Sequence, residues 1–263
     1  MKNIFTIIIL FLVIVFLVVA GSITWVHYYY LPHVADIYQS TMSVGTTSAQ
    51  DSTVPSPKTA AAMLGIEKLT KGYTPGYLDA VPLPRGLDSM PAMESSTFSY
   101  FGFTFSAPWA DARKEKVLGN PPIMAEITFT NGRTVTLMKA ETLSSSALAQ
   151  YSSASSTIRT NYDWENAVLT ATPDQVTNST PGDEATLIFA LLASKLLLLP
   201  PTPIYSFDTG VVKGFQHGDA TTTRQTAINI FNQNDNEFDL LVSGTQDEID
   251  YIVASMKLQP SKT

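Results

Sequence analysis

A long apolar run at the N-terminus constrains most strongly what this chain can fold into. From Ile4 to Val26 there is no charged residue, and these 23 residues would form a helix of about 34 Å at ~1.5 Å per residue. That length crosses the hydrocarbon core of a membrane. The residues at its far end are typical of a membrane interface, namely Trp25, His27, Tyr28, Tyr29 and Tyr30. We therefore predict a transmembrane anchor within residues 1–30.

Charge predicts the orientation of this anchor. Lys2 precedes the apolar run, and the next Lys or Arg is Lys58, so the N-terminus is expected in the cytoplasm and the rest outside. The alternative is a signal peptide cleaved after Ala20, with Val18 and Ala20 as the small residues before the cut. That alternative predicts a secreted protein. The chain has no cysteine, which suits a bacterial envelope better than a eukaryotic extracellular space.

Composition divides the remaining chain into a tether and a domain. Residues 40–62 are rich in Ser, Thr, Ala and Pro with few large apolar residues, a composition that favours an unfolded linker. Residues 73–93 add Tyr and Leu and are expected to be extended. We predict a tether and extended segment over 31–96 and a folded domain over 97–260.

Alternating apolar residues predict strands at both ends of this domain. Phe98 to Phe105 is expected to form one strand interrupted at Gly102. Residues 123–138 predict a hairpin with a three-residue loop, because that register pairs Ile127 with Val135 and Ala125 with Leu137. Gly132 is expected to be left-handed. Near the C-terminus, 211–215, 222–232 and 237–243 predict three more strands.

Matching of apolar faces also predicts the register of the second C-terminal turn. A three-residue loop over Asn234 to Asn236 would place Ile230 opposite Leu240 and Ile228 opposite Val242. Thr245 with Glu248 forms a capping box for a final helix, whose apolar stripe is Ile249, Ile252, Val253 and Met256.

Helices are predicted in the middle of the domain, over 144–153, 163–169 and 181–199. The last begins with Thr180 as N-cap and contains an apolar stretch from Ala185 to Leu199. This stretch has 15 residues and includes Lys195, so a buried core helix is favoured over a second membrane span. Strands in hairpins and helices in blocks predict an α+β fold with an antiparallel sheet packed with helices, of the α/β/α sandwich type.

The order of elements resembles that of the PsbP-like family, the α/β/α sandwich of a photosystem II extrinsic subunit. The residues that carry the resemblance are Phe103, Thr104, Phe105 and Pro108, then Phe231 to Leu241, and finally Glu248, Ile252, Ser255 and Lys257. They are structural residues, so no functional residue is carried over. The resemblance implies a domain that binds or assists assembly rather than one that catalyses a reaction.

The sequence predicts no catalytic residue, cofactor or metal site. Without cysteine there is no thiolate chemistry, and there is no glycine-rich phosphate loop and no nucleophile elbow. The net charge of −7 disfavours nucleic acid as a partner. His217 with Asp219 is interpreted as a solvated hairpin end, and Asp163 with Glu165 as acids at a helix start. The oxygen-rich segment Asn232 to Asp239 is interpreted as a turn rather than a calcium loop.

These observations predict a membrane-tethered binding or assembly module with a protein partner in the envelope. Two alternatives stay open. One is a carrier for a small apolar ligand such as a lipid, with the helix over Ala185 to Leu199 lining its cavity. The other is an envelope enzyme that uses only carboxylates, for which two facing carboxylates in a cleft would be the sign.

Overall fold

The computed structural model describes residues 57–71, 78–87, 94–140, 142–198 and 203–259. The predicted anchor with Trp25, His27, Tyr28, Tyr29 and Tyr30, and the alternative cleavage point at Ala20, lie outside these residues. Within the described part of the chain, no helix is both long enough and apolar enough to span a membrane.

The described residues form an α+β structure with five helices and eleven strands. The helices are α1 (Pro57–Thr70), α2 (Ser145–Ala154), α3 (Asn161–Thr170), α4 (Gly182–Leu198) and α5 (Gln246–Ala254). The strands are β1 (Leu83–Pro84), β2 (Ser96–Tyr100), β3 (Phe103–Ala107), β4 (Ala112–Leu118), β5 (Met124–Phe129), β6 (Thr134–Lys139), β7 (Ile204–Asp208), β8 (Val212–His217), β9 (Thr226–Asn232), β10 (Glu237–Val242) and β11 (Lys257–Leu258).

The chain divides into two compact units. The described residues of the first are 57–69 and 176–186. In this unit Lys58 forms an ion pair with Asp183, and the Thr59 hydroxyl donates to the Thr180 carbonyl at 3.0 Å. The second unit contains both sheets and begins at Thr70.

Helix α1 and strand β1 both fall within residues 31–96, where composition predicted a tether and extended chain. The run of alanines favours a helix here, and the Thr59, Ala62 and Ile66 side chains share one buried face of it. The prediction of a linker is therefore wrong for 57–62, because alanine counts as a small linker residue by composition but is the strongest helix former.

The large sheet is mixed rather than purely antiparallel. Its eight strands run in the order β1, β7, β8, β9, β10, β6, β5, β4. All neighbours are antiparallel except β1 and β7, where Leu83 lies opposite Tyr205 in a parallel pair. A separate small sheet has the order β11, β3, β2.

The predicted β5–β6 hairpin is confirmed. Ile127 pairs with Val135 and Ala125 with Leu137, and the Phe129 amide donates to the Arg133 carbonyl across a three-residue loop. Gly132 has φ of 81°, the left-handed conformation that the loop requires.

Residues 98–105 form two strands rather than one interrupted strand. Strands β2 and β3 are joined by Phe101 and Gly102, whose φ angles of 52° and 83° are those of a type I′ turn. Apolar residues alternate on both sides of the turn, but the phase of the alternation changes between Tyr100 and Phe103, as two strands paired across a two-residue turn require.

The β9–β10 register differs from the prediction by two residues. Ile230 lies opposite Phe238 and Ile228 opposite Leu240, so the loop is Gln233 to Asp235 instead of Asn234 to Asn236. The Asn232 side chain fixes this loop, because its Oδ1 accepts the amides of Asn234 and Asn236 at 2.9 and 3.0 Å. A shift of two residues keeps every side chain on the same face, so alternation alone cannot distinguish the registers.

The two faces of the large sheet are covered by different elements. On one face, Ile228, Leu240 and neighbouring apolar residues pack with α5 and the small sheet. The predicted stripe of α5 is confirmed, since Ile249, Ile252, Val253 and Met256 are buried there, and the capping box of Thr245 and Glu248 is present. On the other face, Phe215 and Phe231 pack against Leu169 and Tyr162 of α3.

A buried lysine joins three segments of the second unit. The Lys195 side chain is 1% exposed, and its ammonium donates to four carbonyls, those of Leu78, Ala80, Leu169 and Ala171, at 2.6 to 3.0 Å. Two of these carbonyls, those of Leu169 and Ala171, lie at the C-terminal end of α3, where the helix supplies no amide donor for them. Lys195 therefore fixes the end of α3 and the residues before β1 to α4.

Strand β4 forms one edge of the large sheet. The Lys114, Glu115 and Lys116 side chains are exposed, and Val117 is 48% exposed, so neither face of this strand is covered. The sheet thus ends in a charged strand.

Candidate functional site

A cavity of about 470 Å³ lies between α3 and the sheet face that α3 covers. We call it the α3 cavity, and its described lining residues are Thr142, Leu143, Asn161, Trp164, Glu165, Leu198, His217, Ala227, Asn229 and Glu237. Its volume is in the range of small-molecule sites in proteins. Of its described lining residues, four are apolar and six are polar or charged.

The position of α3 over the sheet is fixed by the β9–β10 loop. Asp235 has a left-handed φ of 58°, and its carboxylate accepts the amides of Asn161 and Tyr162 at 2.6 and 3.2 Å. The side-chain amide of Asn161 donates to the same carboxylate at 2.8 Å. Negative charge at a helix N-terminus is stabilising. Thr160 and Asp163 add a capping box, so the first turn of α3 is held firmly above β9.

Glu165 is the most buried acid of the cavity. It is 5% exposed, and no described residue donates a hydrogen bond to it. His217 lies beside it, with Nε2 at 3.8 Å from the glutamate Oε1. Burial raises the pKa of Glu165 well above its usual value, and the nearby carboxyls of Glu237 and Asp239 raise it further.

Burial favours the neutral form of His217. Its side chain is 9% exposed, and burial lowers its pKa, which the hydrogen bond to Asn229 partly offsets. The Asn229 amide nitrogen donates to Asp239 at 2.8 Å and to Glu237 at 3.5 Å, so its oxygen faces His217 Nε2 and accepts from it. His217 Nδ1 is then an acceptor, and it has no partner among the described residues.

Glu237 and Asp239 point from β10 toward the same region. Burial raises the pKa of Glu237 to about 7, with further contributions from Asp239 and Asp235, while the bond from Asn229 acts in the opposite direction. Burial also raises the pKa of Asp239. The carboxyls of Glu165, Glu237 and Asp239 therefore lie close together, and ionising all of them at once is energetically unfavourable.

Neither protein-family models, nor curated proteins, nor solved structures match this chain.

A second cavity of about 310 Å³ adjoins the first, since Thr142 and Glu237 line both. Its lining also includes Lys139 and Phe101, and the Lys139 ammonium lies 5.6 Å from the centre of the Phe101 ring. Glu237 therefore stands at the boundary of the two cavities.

The structure places two sequence candidates differently from the prediction. His217 is not a solvated hairpin end with Asp219, because Asp219 accepts from the Tyr205 hydroxyl at 2.8 Å while His217 points under α3. The acids at the start of α3 also separate. Asp163 caps the helix as predicted, whereas Glu165 turns into the cavity.

The oxygen-rich segment after β9 behaves as a turn. Asn232 and Asp235 bond to backbone amides, as described above. No group of three or more His, Asp or Glu side chains is arranged to hold a metal ion in the described ranges.

One sequence signal could have identified the acid of α3. Glu165 shares the buried face of that helix with Val168 and Leu169. An acid on the apolar face of a helix is buried unless it is at an end, and buried acids are concentrated at functional sites. Asn229, Glu237 and Asp239 give no such signal, because polar residues alternating along a strand normally face solvent.

Proposed function

We propose that this chain is a membrane-tethered extracytoplasmic binding module and that the α3 cavity is its small-molecule site. The observation that carries the proposal is the combination, in one cavity of about 470 Å³, of a buried glutamate without a hydrogen-bond donor and a histidine nitrogen without a partner. Buried polar groups are normally paired, so groups that lack partners in a cavity are suited to bind a ligand.

The membrane tether is supported by the sequence. The apolar run from Ile4 to Val26 and the aromatic residues after it have the length and composition of an anchor. The coverage of the large sheet on both faces supports an α/β/α arrangement such as that of the PsbP-like family. That resemblance favours binding or assembly as well, so a protein partner in the envelope remains part of the proposal.

Cell fractionation tests the tether. A chain with a C-terminal tag should stay in membranes at alkaline pH, and protease should digest the tag once the outer barrier is opened. A soluble, shortened product would contradict the anchor and favour cleavage after Ala20.

A cavity-filling variant tests the binding site. Ala227 lines the cavity from β9, and Ala227→Leu should occupy part of it, whereas Ala112→Leu adds the same atoms on the exposed edge strand β4. We expect compounds from a metabolite library to raise the melting temperature of the unmodified chain and of Ala112→Leu, but not of Ala227→Leu. Compounds that stabilise all three proteins equally would place the binding site elsewhere.

A carboxylate enzyme is the second candidate function. Glu165 and Glu237 both line the cavity, and a carboxylic acid with a raised pKa can act as a general acid beside a second carboxylate. Hydrolysis of envelope glycans that is lost in Glu165→Gln would favour this function. Equal hydrolysis by the chain and the variant would count against it.

An apolar-ligand carrier has less support. Helix α4 buries Ile188, Phe189, Leu192 and Leu196 in packing contacts, and only Leu198 of this helix lines the α3 cavity among the described residues. The acids in the cavity also disfavour a purely apolar ligand.

A further inference from the structure

We propose that the α3 cavity takes a small primary amine, with its ammonium group between Glu165 and Glu237 and its apolar body against Trp164. This inference rests on the proposed binding function and adds the chemical class of the ligand.

The Glu165 carboxyl favours a ligand that donates, whereas the Trp164 indole Nε1 is a donor without a partner among the described residues. Glu165 accepts no hydrogen bond from any described residue although it is only 5% exposed. His217 Nδ1 is an acceptor without a partner, because Nε2 is already engaged by Asn229. An ammonium group has three donors and can satisfy the Glu165 carboxyl, whereas a carboxylate or phosphate ligand has none to offer.

The carboxyls of the cavity also favour a cationic ligand over an anionic one. Its described lining includes Glu165 and Glu237 but no Lys or Arg, and Asp239 lies behind them at hydrogen-bonding distance from Asn229. Lys139, in the adjoining cavity, has the Phe101 ring as its neighbour and no ion pair with Glu237 within 4 Å. A bound ammonium would supply positive charge to carboxyls that lack a cationic partner.

The walls of the cavity match an apolar body of modest size. Leu143, Trp164, Leu198 and Ala227 line it, and its volume of about 470 Å³ exceeds that of one phenyl ring with a short side chain. Trp164 offers an aromatic surface, which attracts cations and stacks with rings. A primary amine on a short aromatic or aliphatic chain fits both halves of the cavity.

Binding of such an amine is coupled to proton release. Since burial keeps the pKa values of Glu165 and Glu237 raised, an ammonium that favours their charged forms must displace protons. The charged or titratable groups that surround them are His217 from β8, Asp239 from β10, Asp235 from the adjoining loop and Lys139 from β6. Affinity for the amine should therefore increase as the pH rises from about 5 to about 8.

Calorimetry with matched probes tests the ligand class. The full-length chain is titrated with 2-phenylethylamine, with 2-phenylethanol as the uncharged probe of the same size and 3-phenylpropionate as the anionic one. The same titrations are made on Glu165→Gln and Glu237→Gln, which keep the shape of each side chain. Glu94→Gln is the control, because Glu94 is exposed and does not line the cavity.

We expect the amine alone to bind the unmodified chain and Glu94→Gln, with its Kd raised at least about tenfold in each cavity variant. Far-UV circular dichroism checks that both cavity variants fold, and either one suffices for the test. Binding of the alcohol or the anion as tight as that of the amine would overturn the amine inference. If Ala227→Leu abolished the binding of the alcohol or the anion, the cavity would still be a binding site, but for another class of ligand. Absence of amine binding to the folded chain would also overturn the inference, while the metabolite screen decides separately on the function.

Discussion

Replacing Glu237 by glutamine should stabilise the protein at neutral and alkaline pH. The pKa of Glu237 is raised from 4.5 to about 7 by burial and by the neighbouring acids Asp239 and Asp235. The folded protein therefore binds a proton at this residue more tightly than the unfolded chain does. It follows that stability falls as the pH rises from about 4.5 to about 7, and that the full cost is present above pH 7.

The size of the effect follows from the same two pKa values. A change from 4.5 to about 7 corresponds to about 3 kcal/mol at ~1.4 kcal/mol for each pH unit. Because the Glu237 side chain keeps some solvent exposure, we expect about 1 to 3 kcal/mol at pH 8. Glutamine can keep the bond from Asn229 through its own side-chain oxygen, so the substitution removes the charge and little else.

Urea unfolding at pH 4.5, 6 and 8 measures this difference. Glu237→Gln should match the unmodified chain at pH 4.5 and exceed it progressively at the higher values, while Glu94→Gln should differ little at any pH. His217 has a lowered pKa and gives an opposite pH trend, but it is present in both proteins, so it largely cancels from the comparison. A variant that is less stable than the unmodified chain at pH 8, or a difference that does not change with pH, would refute the assignment of Glu237 as a partly buried acid without a cationic partner.

Three further substitutions test how the site is supported. Lys195→Met should lower the free energy of unfolding by about 3 to 5 kcal/mol, because it leaves four carbonyls without their ammonium donor. A loss below about 1 kcal/mol in urea unfolding would contradict that role of Lys195. Asp235→Ala should cost about 1 to 2 kcal/mol and increase amide exchange in the first turn of α3, since two backbone amides lose their acceptor; unchanged exchange there would show that the turn is held by other contacts. Thr245→Ala should cost about 1 kcal/mol through the N-cap of α5 without changing ligand binding, and altered binding would show that α5 influences the α3 cavity.

The elements that sequence predicted well are those in which local pattern and packing agree. The β5–β6 register followed from pairing apolar faces, and α5 followed from its capping box and stripe. The β9–β10 register was wrong because a shift of two residues keeps the same faces inward, and only the bonds of Asn232 to the loop amides separate the alternatives. Strands β1, β4, β7 and β11 were missed, because β1 and β11 have two residues each, β4 is rich in charged residues and β7 follows a proline-rich stretch.

The cavity could not be predicted because its residues come together only through tertiary packing. His217, Asn229 and Glu237 lie on three neighbouring strands, and α3 reaches them from an earlier part of the sequence. Alone, each residue has an ordinary explanation as a turn or as a solvent-facing strand position. What converts them into a site is the cap that Asp235 gives to α3, because it holds the helix over polar residues that would otherwise be in water.

Strand β4 has a consequence for how this protein behaves at high concentration. An edge strand offers unpaired amides and carbonyls, to which a strand of another molecule can add, and such additions lead to aggregates. The seven residues of β4 include exposed Lys114, Glu115 and Lys116. A second strand could pair here only if these charged side chains were packed closely together or desolvated. The whole chain has a net charge of −7, so these lysines do not add to its overall repulsion. They oppose strand addition because they lie on the edge strand itself. Replacing both lysines with threonine would therefore remove this protection and favour the addition of a further strand at β4.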